Sequence, residues 1–240
     1  MIDTSPQRKQ HSSEQIFDQI AGRYDLLNQL LSGGIDRKWR NQFLKALPAN
    51  QSELLALDLA CGTADVPITL CRSPKIKHVT GIDLSKEMLK IGQTKVENLN
   101  LQQRITLQAG DGVTLDGLPD HHFDLVTISF GIRNFSSASQ SLSSIHRVLK
   151  PGGQLLIMEF SLPENSLIRL PYLFYFRHLL PKLGNLLSGH GDAYTYLNQT
   201  VEGFPYGDDF LALMQQAGFA QLLATAQTFG IATLYCGRAV

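Results

Sequence analysis

Apolar positions along this chain fall into two rhythms. Ile16, Ile20, Tyr24, Leu27 and Leu31 recur every three or four residues, the spacing of one face of an α-helix. Ser12-Ser13-Glu14-Gln15 ahead of them has the form of a capping box, which puts the expected helix start there. Gly33-Gly34 breaks that helix, and a second is expected from Asp36 through Trp39 and Phe43 to Leu47, before Pro48. The rhythm then changes to short unbroken apolar runs. Leu54 to Leu59 is one, and such a run closed by a glycine turn is what a strand buried in a parallel sheet looks like. Similar runs end at Asp83, at Gly110-Asp111 and at Ile128. Three strand-helix units are expected before the fourth strand. Helices are expected from Val66 to Cys71 and from about Ser137, where Leu142, Ile145, Val148 and Leu149 share a face. Lys150-Pro151-Gly152-Gly153 stops the latter and turns into a fifth strand, Gln154 to Phe160. A last helix begins at Gly207-Asp208-Asp209-Phe210, and Gln221–Phe229 with Ile231–Ala239 read as a terminal strand pair. Strand and helix thus alternate, which predicts an α/β fold.

The turn after the first strand carries the first chemistry. Cys61, Gly62, Thr63 and Ala64 are all small, so backbone amides there can approach a ligand closely. A dinucleotide fingerprint needs three glycines at fixed offsets, and a phosphate loop needs Gly-Lys-Ser/Thr; this turn has neither. A cofactor without phosphate fits better. Asp83, at the end of the second strand, is an acid able to accept hydrogen bonds from both hydroxyls of a ribose.

Composition narrows the class further. The 240 residues suffice for one well-cored α/β domain with a modest appendage. Residues 1–11 are expected to be a disordered lead and 12–240 a single domain, with N-terminal helices over 12–47 and a cap inserted over 162–206. Twenty-one basic residues balance 21 acidic ones, so there is no electrostatic footprint for nucleic acid. Cys61, Cys71 and Cys236 are few and scattered, which argues against a disulfide framework or a metal site and for a reducing compartment. The polar N-terminus lacks the apolar core of a signal peptide, and no run reaches the ~18 apolar residues of a spanning helix. A cytoplasmic location follows as the expectation.

Leu167 to Leu180 departs from the alternation: it is dense in aromatics, interrupted by Pro171 and followed by Pro181. Three readings stay open, namely a cap helix packed on the core, an apolar wall for a hydrophobic substrate, and a shallow membrane contact. A homodimer stays open as well.

Four strand ends in this order resemble those of class I S-adenosylmethionine-dependent methyltransferases. Two segments resemble one family within them. Tyr24-Asp25-Leu26-Leu27-Asn28-Gln29-Leu30-Leu31-Ser32, followed by Trp39, resembles the N-terminal signature of the quinone-biosynthesis C-methyltransferases, the ubiquinone/menaquinone methyltransferase family. Arg147 to Ser161 matches the family's second signature throughout, and Phe130-Gly131-Ile132-Arg133-Asn134 is shared too. Leu27 stands where that family usually has Met, and Asp36 puts a carboxylate where it usually has an imidazole.

The resemblance implies a Rossmann-like seven-stranded sheet with helices on both faces, closed by one antiparallel strand, with an N-terminal helical lid and a helical cap after strand five. It implies S-adenosylmethionine as co-substrate, no metal, and a reduced prenylated quinone as acceptor, with demethylmenaquinol preferred over a ubiquinone precursor, 2-phytyl-1,4-naphthoquinol or another small molecule taken by the same fold. Thr63 and Gly62 would border the methionine part, Asp83 the ribose, Asp111 with Gly112 the adenine, and Ser129 the floor beneath the sulfonium. Asp58 is either a ligand contact or an acid that orients the turn. Arg133, Asn134 and Tyr24 would assist loss of a phenolic proton, the alternative for Arg133 being a surface ion pair. Tyr194 and Tyr196 would border the quinone ring, and His190-Gly191-Asp192 either lines the substrate entrance or is a plain loop.

Overall fold

A computed structural model describes residues 6–49, 51–179, 200–201 and 203–240. Helices α1 (Pro6–Leu31) and α2 (Ile35–Ala46) precede β1 (Leu54–Leu59), α3 (Asp65–Leu70), β2 (Ile76–Asp83), α4 (Lys86–Asn98), β3 (Ile105–Ala109) and β4 (Phe123–Ser129). A 3-10 turn over Ile132–Asn134 follows, then α5 (Ala138–Val148), β5 (Leu149–Phe160), α6 (Ser166–Phe174), α7 (Asp208–Gln216), β6 (Phe219–Gln227) and β7 (Ala232–Ala239). The strands form one seven-stranded sheet in the order β3-β2-β1-β4-β5-β7-β6. Every pairing among β1 to β5 is parallel, and β7 runs antiparallel to both β5 and β6.

The unbroken apolar runs are explained by cover on both faces. Along β1, Leu57 and Leu59 point into one core with Val126 and Ile128 of β4, closed by Leu142, Ile145 and Val148 of α5 and by Phe210 and Met214 of α7. Leu54 and Ala56 point the other way, with Leu125 and Leu156, under Trp39 and Phe43 of α2, Leu70 of α3 and Val96 of α4. Alternate residues therefore serve opposite layers, as strand geometry requires. Strand order reverses between β1 and β4, and the crevice at such a switch point is where open α/β sheets take their ligands.

Several expectations shift. The expected lead does not hold over residues 6–11: α1 begins at Pro6, so these and the capping-box residues lie inside the helix. Proline suits a first helical turn, where its missing N–H has no partner to lose. The third strand-helix unit lacks its helix. Residues 110–122 cross from β3 to β4 as turns; Gly112, Gly117 and Pro119 break any helix there, and buried Val113 and Leu115 supply the packing instead. Strand β5 starts at Leu149, with Lys150 to Gly153 bulging out of the ladder between the Phe123↔Leu149 and Leu125↔Gln154 pairs. The two N-terminal helices also differ in task, for α2 is a layer of the core while α1 reaches the strand ends. Beyond β5, α6 runs into a π-turn over Tyr175–Leu179, and Phe176 packs with Leu27 of α1 and Val201.

Candidate active site

Tightness of the turn after β1 comes from alternating backbone hand. Ala60, Gly62 and Ala64 have φ of 53°, 53° and 67°, a left-handed region that is strained for alanine. Stitching to β2 holds it there: Cys61 N–H donates to Ile82 O at 3.1 Å, and Gly62 N–H donates to Asp83 Oδ2 at 2.8 Å. The other carboxylate oxygen of Asp83 accepts from Ser85 N–H at 2.9 Å. Burial pushes the Asp83 carboxyl up, against the pull of these backbone donors. Leu84 N–H acts on the same carboxylate, which keeps lone-pair capacity for a further donor.

These strand ends line a cleft that opens to solvent at the switch point of the sheet, where α/β sheets of this kind take small ligands. Ala60 and Gly62 line it from β1, Ile82 to Ser85 from β2, Met88 from α4, Gly110 and Gly112 from the end of β3. Ser129, Phe130, Gly131, Asn134 and Phe135 close the far wall, and Phe17 and Tyr24 reach in from α1. Two glycines are required by close approach. A Cβ on Gly131 would meet Ala60 Cβ at 2.5 Å, and one on Gly112 would meet Phe135 Cζ at 2.6 Å. This glycine cradle with a polar carboxylate at its lip has the form a nucleoside needs: a flat base against glycines, two hydroxyls on an acid.

Six of the ten site residues expected from sequence thus line one cleft: Gly62, Asp83, Gly112, Ser129, Asn134 and Tyr24. Four stand elsewhere. Thr63 turns away; its hydroxyl donates to Asp25 Oδ1 at 2.6 Å and accepts from Lys95 Nζ at 2.8 Å. Lys95 also pairs with Asp65 at 2.8 Å and with Asp25, so α1, the turn and α4 are fastened through one ammonium. Asp111 folds back to accept from Val113 N–H at 2.9 Å, between two glycines that do line the cleft. Asp58 is buried inside β1 and accepts from Thr127 Oγ1 of β4. Burial pushes its carboxyl up to about 8, with Thr127 opposing and Asp83 adding. It ties the two strands at the switch point and touches neither cleft nor turn amides.

Arg133 is the fourth, and it is no surface residue. Its guanidinium lies behind the wall, 6% exposed, with Nη1 donating to Glu159 Oε1 at 2.7 Å and to the carbonyl of Phe130. The Phe160 ring lies 5.2 Å beneath it, and Phe130, Phe160 and Trp39 form an aromatic cluster. Burial pushes the Tyr24 phenol up, opposed by a hydrogen bond with Asn28 and by the Arg133 charge, while Asp83 and Asp25 add to the rise. Burial raises Tyr172 of α6 as well, Tyr175 adding and Arg133 opposing. One buried cation therefore acts on two phenols from separate helices. Asp36, the departure from the signature, accepts from Arg40 Nη2 at 2.7 Å and from Ser32 at 2.9 Å in the first turn of α2, a structural position. His190, Tyr194 and Tyr196 lie outside the described residues.

Phe17, Asp25, Lys95 and Glu159 were not singled out by sequence. Asp25 and Glu159 sit inside the two signature segments, a signal sufficient to have marked them; Lys95 reads as one more helix charge.

The chain matches the model of the ubiE/COQ5 methyltransferase family over residues 5–239. It is 44% identical over 224 residues to the ubiquinone/menaquinone biosynthesis C-methyltransferase UbiE of Geobacter sulfurreducens, covering 93% of this chain and 86% of the relative. It is 39% identical over 230 residues to the demethylmenaquinone methyltransferase of Porphyromonas gingivalis, covering 95% and 93%. Among solved structures, a possible histamine N-methyltransferase from Thermotoga maritima superposes with a TM-score of 0.66 at 17% identity, covering 94% of this chain and 99% of that one. A methyltransferase from Aquifex aeolicus gives 0.59 at 17%, covering 84% and 89%. At such identities these two speak to the fold alone.

Proposed function

We propose that this chain, which belongs to the ubiE/COQ5 methyltransferase family, moves a methyl group from S-adenosylmethionine to a ring carbon of demethylmenaquinol. The observation that carries this reading is the meeting of two kinds of wall around one cleft. Asp83 and the glycine cradle suit an adenosyl ligand, and Tyr24 and Asn134, backed by buried Arg133, suit a phenolic ring. The choice of acceptor draws support from the Porphyromonas relative's name.

S-Adenosylmethionine, when bound, supplies an electrophilic methyl group on a sulfonium. Asp83 would hold the ribose, Gly110 and Gly112 would flank the adenine, and Gly62 and Ser129 would border the methionine end. A hydroquinone carbon is a modest nucleophile until its neighbouring hydroxyl gives up a proton. The charge of Arg133 stabilises the phenolate, while Tyr24 and Asn134 hold its oxygen or the water that takes the proton. The ring carbon's electron pair then forms the new C–C bond, the C–S pair leaves with sulfur, and the ring proton departs to restore aromaticity. Alignment and exclusion of water supply most of the acceleration; Phe17, Phe130 and Phe135 dry the cleft.

A prenylated acceptor resides in a bilayer, and among the described residues no helix is long and apolar enough to cross one. We extend the proposal to a peripheral contact through α6, whose Leu167, Leu170 and Phe174 are exposed at one helical face. The test of function is mass spectrometry of quinones from cells lacking this protein. A naphthoquinone one methyl group lighter is expected; an unchanged quinone pool refutes the reading, and a lighter benzoquinone redirects it to ubiquinone.

A further inference from the structure

Glu159 closes β5 as a carboxylate only 1% exposed, and the reaction outlined above leaves it without a task. Resting on that reading of Arg133, we propose that Glu159 is a positioning residue for methyl transfer: it fixes the guanidinium behind the cleft and sets how much of its charge the acceptor oxygen feels.

The carboxylate holds Arg133 at both ends. Oε1 accepts from Nη1 at 2.7 Å, and Oε2 faces the Arg133 backbone N–H at 3.4 Å. Oε1 also accepts from Phe160 N–H at 2.8 Å, which anchors the acid itself to its own strand end. Head and root of one arginine are thereby tied to one rigid strand. The root lies in the three-residue turn that puts Asn134 on the cleft wall, so the acid also sets that turn. An unanchored arginine on so short a turn would sample many rotamers.

Stability is a poor reason for this arrangement. Apolar side chains of similar volume often serve a core as well as a buried ion pair does, and the neighbours Phe130, Phe160 and Trp39 are aromatic. The pair instead keeps a cation beside Tyr24 and Tyr172. The groups acting around it are Glu159 from β5, Tyr24 from α1 and Tyr172 from α6, with Asp83 and Asp25 acting on Tyr24. Arg133 Nε finds no hydrogen-bond partner among the described residues, so Glu159 does not saturate the guanidinium.

Glu159→Gln keeps size and removes charge. With the prenylated quinol as substrate, kcat is expected to fall on the order of a hundredfold, while the calorimetric Kd for S-adenosylmethionine stays within about twofold because that wall is untouched. The acid limb of the kcat–pH profile should move down by about one unit, since the Arg133 charge is no longer offset. Glu159→Asp, which retains the charge on a shorter arm, should bring kcat back from the hundredfold loss to severalfold below wild type with the limb in place, and Arg133→Ala/Glu159→Gln should be no slower than Arg133→Ala. Wild-type kcat in Glu159→Gln overturns the proposal. So does a fall in kcat with an unmoved limb and no recovery in Glu159→Asp, which marks a purely structural acid. Should Glu159→Gln not fold, Glu159→Asp decides: its shorter arm must lower kcat severalfold at unchanged Kd, and full kcat overturns the proposal. A wild-type chain that does not methylate the quinol removes the functional reading itself, and this proposal with it, before any variant is compared.

Discussion

The two walls of the cleft are held by opposite means. At the ends of β1 and β2 the backbone does the holding: Gly62 and Ser85 donate their N–H groups to Asp83, and left-handed Ala60 and Ala64 keep the turn tight. At the ends of β4 and β5 side chains do it, through Arg133, Glu159 and the rings of Phe130 and Phe160. A backbone wall recognises a ligand by shape and by donors every residue has, and it suits an invariant cofactor. A wall of charged and aromatic side chains can be tuned to one acceptor. Helix α1 spans both, with Asp18 and Asp25 bonded to Ser85 and Thr63 on the first side and Tyr24 facing Arg133's charge on the second.

Variants on the two walls should therefore fail differently. The largest effect is expected from Arg133→Ala, with kcat down on the order of a thousandfold and cofactor affinity intact. Leaving Glu159 buried without its cation should also cost roughly 3 kcal/mol of stability, read as a lower denaturation midpoint. Near-full turnover in a folded variant would erase the distinction between the walls. Asp83→Ala is the converse: a Kd for S-adenosylmethionine raised about tenfold by calorimetry, with kcat at saturating cofactor little changed. An unmoved Kd would mean that this acid serves the turn and not the ligand.

Asp58 sharpens the comparison from outside the cleft. Its folded carboxyl titrates near 8 against an ordinary 3.8, so between those values the folded chain holds a proton the unfolded chain has lost. Stability then falls as pH rises through that window and levels off above it. Asp58→Asn should flatten the fall, gaining more in Tm at pH 8 than at pH 5, with turnover at fixed pH little altered. Equal gains at both pH values would contradict the buried protonated acid. The smallest effect is expected from Leu170→Glu on α6, which should weaken retention on anionic vesicles severalfold and leave activity on detergent-dispersed quinol alone. Undiminished retention would move the bilayer contact to another surface.

Much of this was readable along the chain. Strand β1 occupies Leu54–Leu59 as its apolar run predicts, Ser137 caps α5 where expected, and Gly33-Gly34 separates α1 from α2. Those signals are local, carried by spacing, caps and breakers within a few residues. Asp83, Gly112 and Ser129 stand at one cleft because strand ends in a parallel sheet converge on one edge; the sequence offered Asp83 as a strand-end acid and the other two through the family resemblance. Thr63, expected beside the ligand because it is a small polar residue in a tight strand-end turn, has its hydroxyl engaged by Asp25 and Lys95, which the local sequence does not reveal. Arg133 left two readings open, a surface ion pair or a charge beside the reaction; it is ion-paired with Glu159, and the pair is buried and not at the surface.

By itself, the order of residues determined the α/β class, the strand ends that carry chemistry, and the family, because hydrophobic rhythm and short motifs act over neighbouring positions. Which acid meets which donor was decided only by tertiary structure. Asp25 with Lys95, Asp58 with Thr127 and Glu159 with Arg133 are pairs whose members come from different strands and helices. A polar group that folding takes out of water must find its partner there, and that choice exists only once the sheet has brought distant segments together.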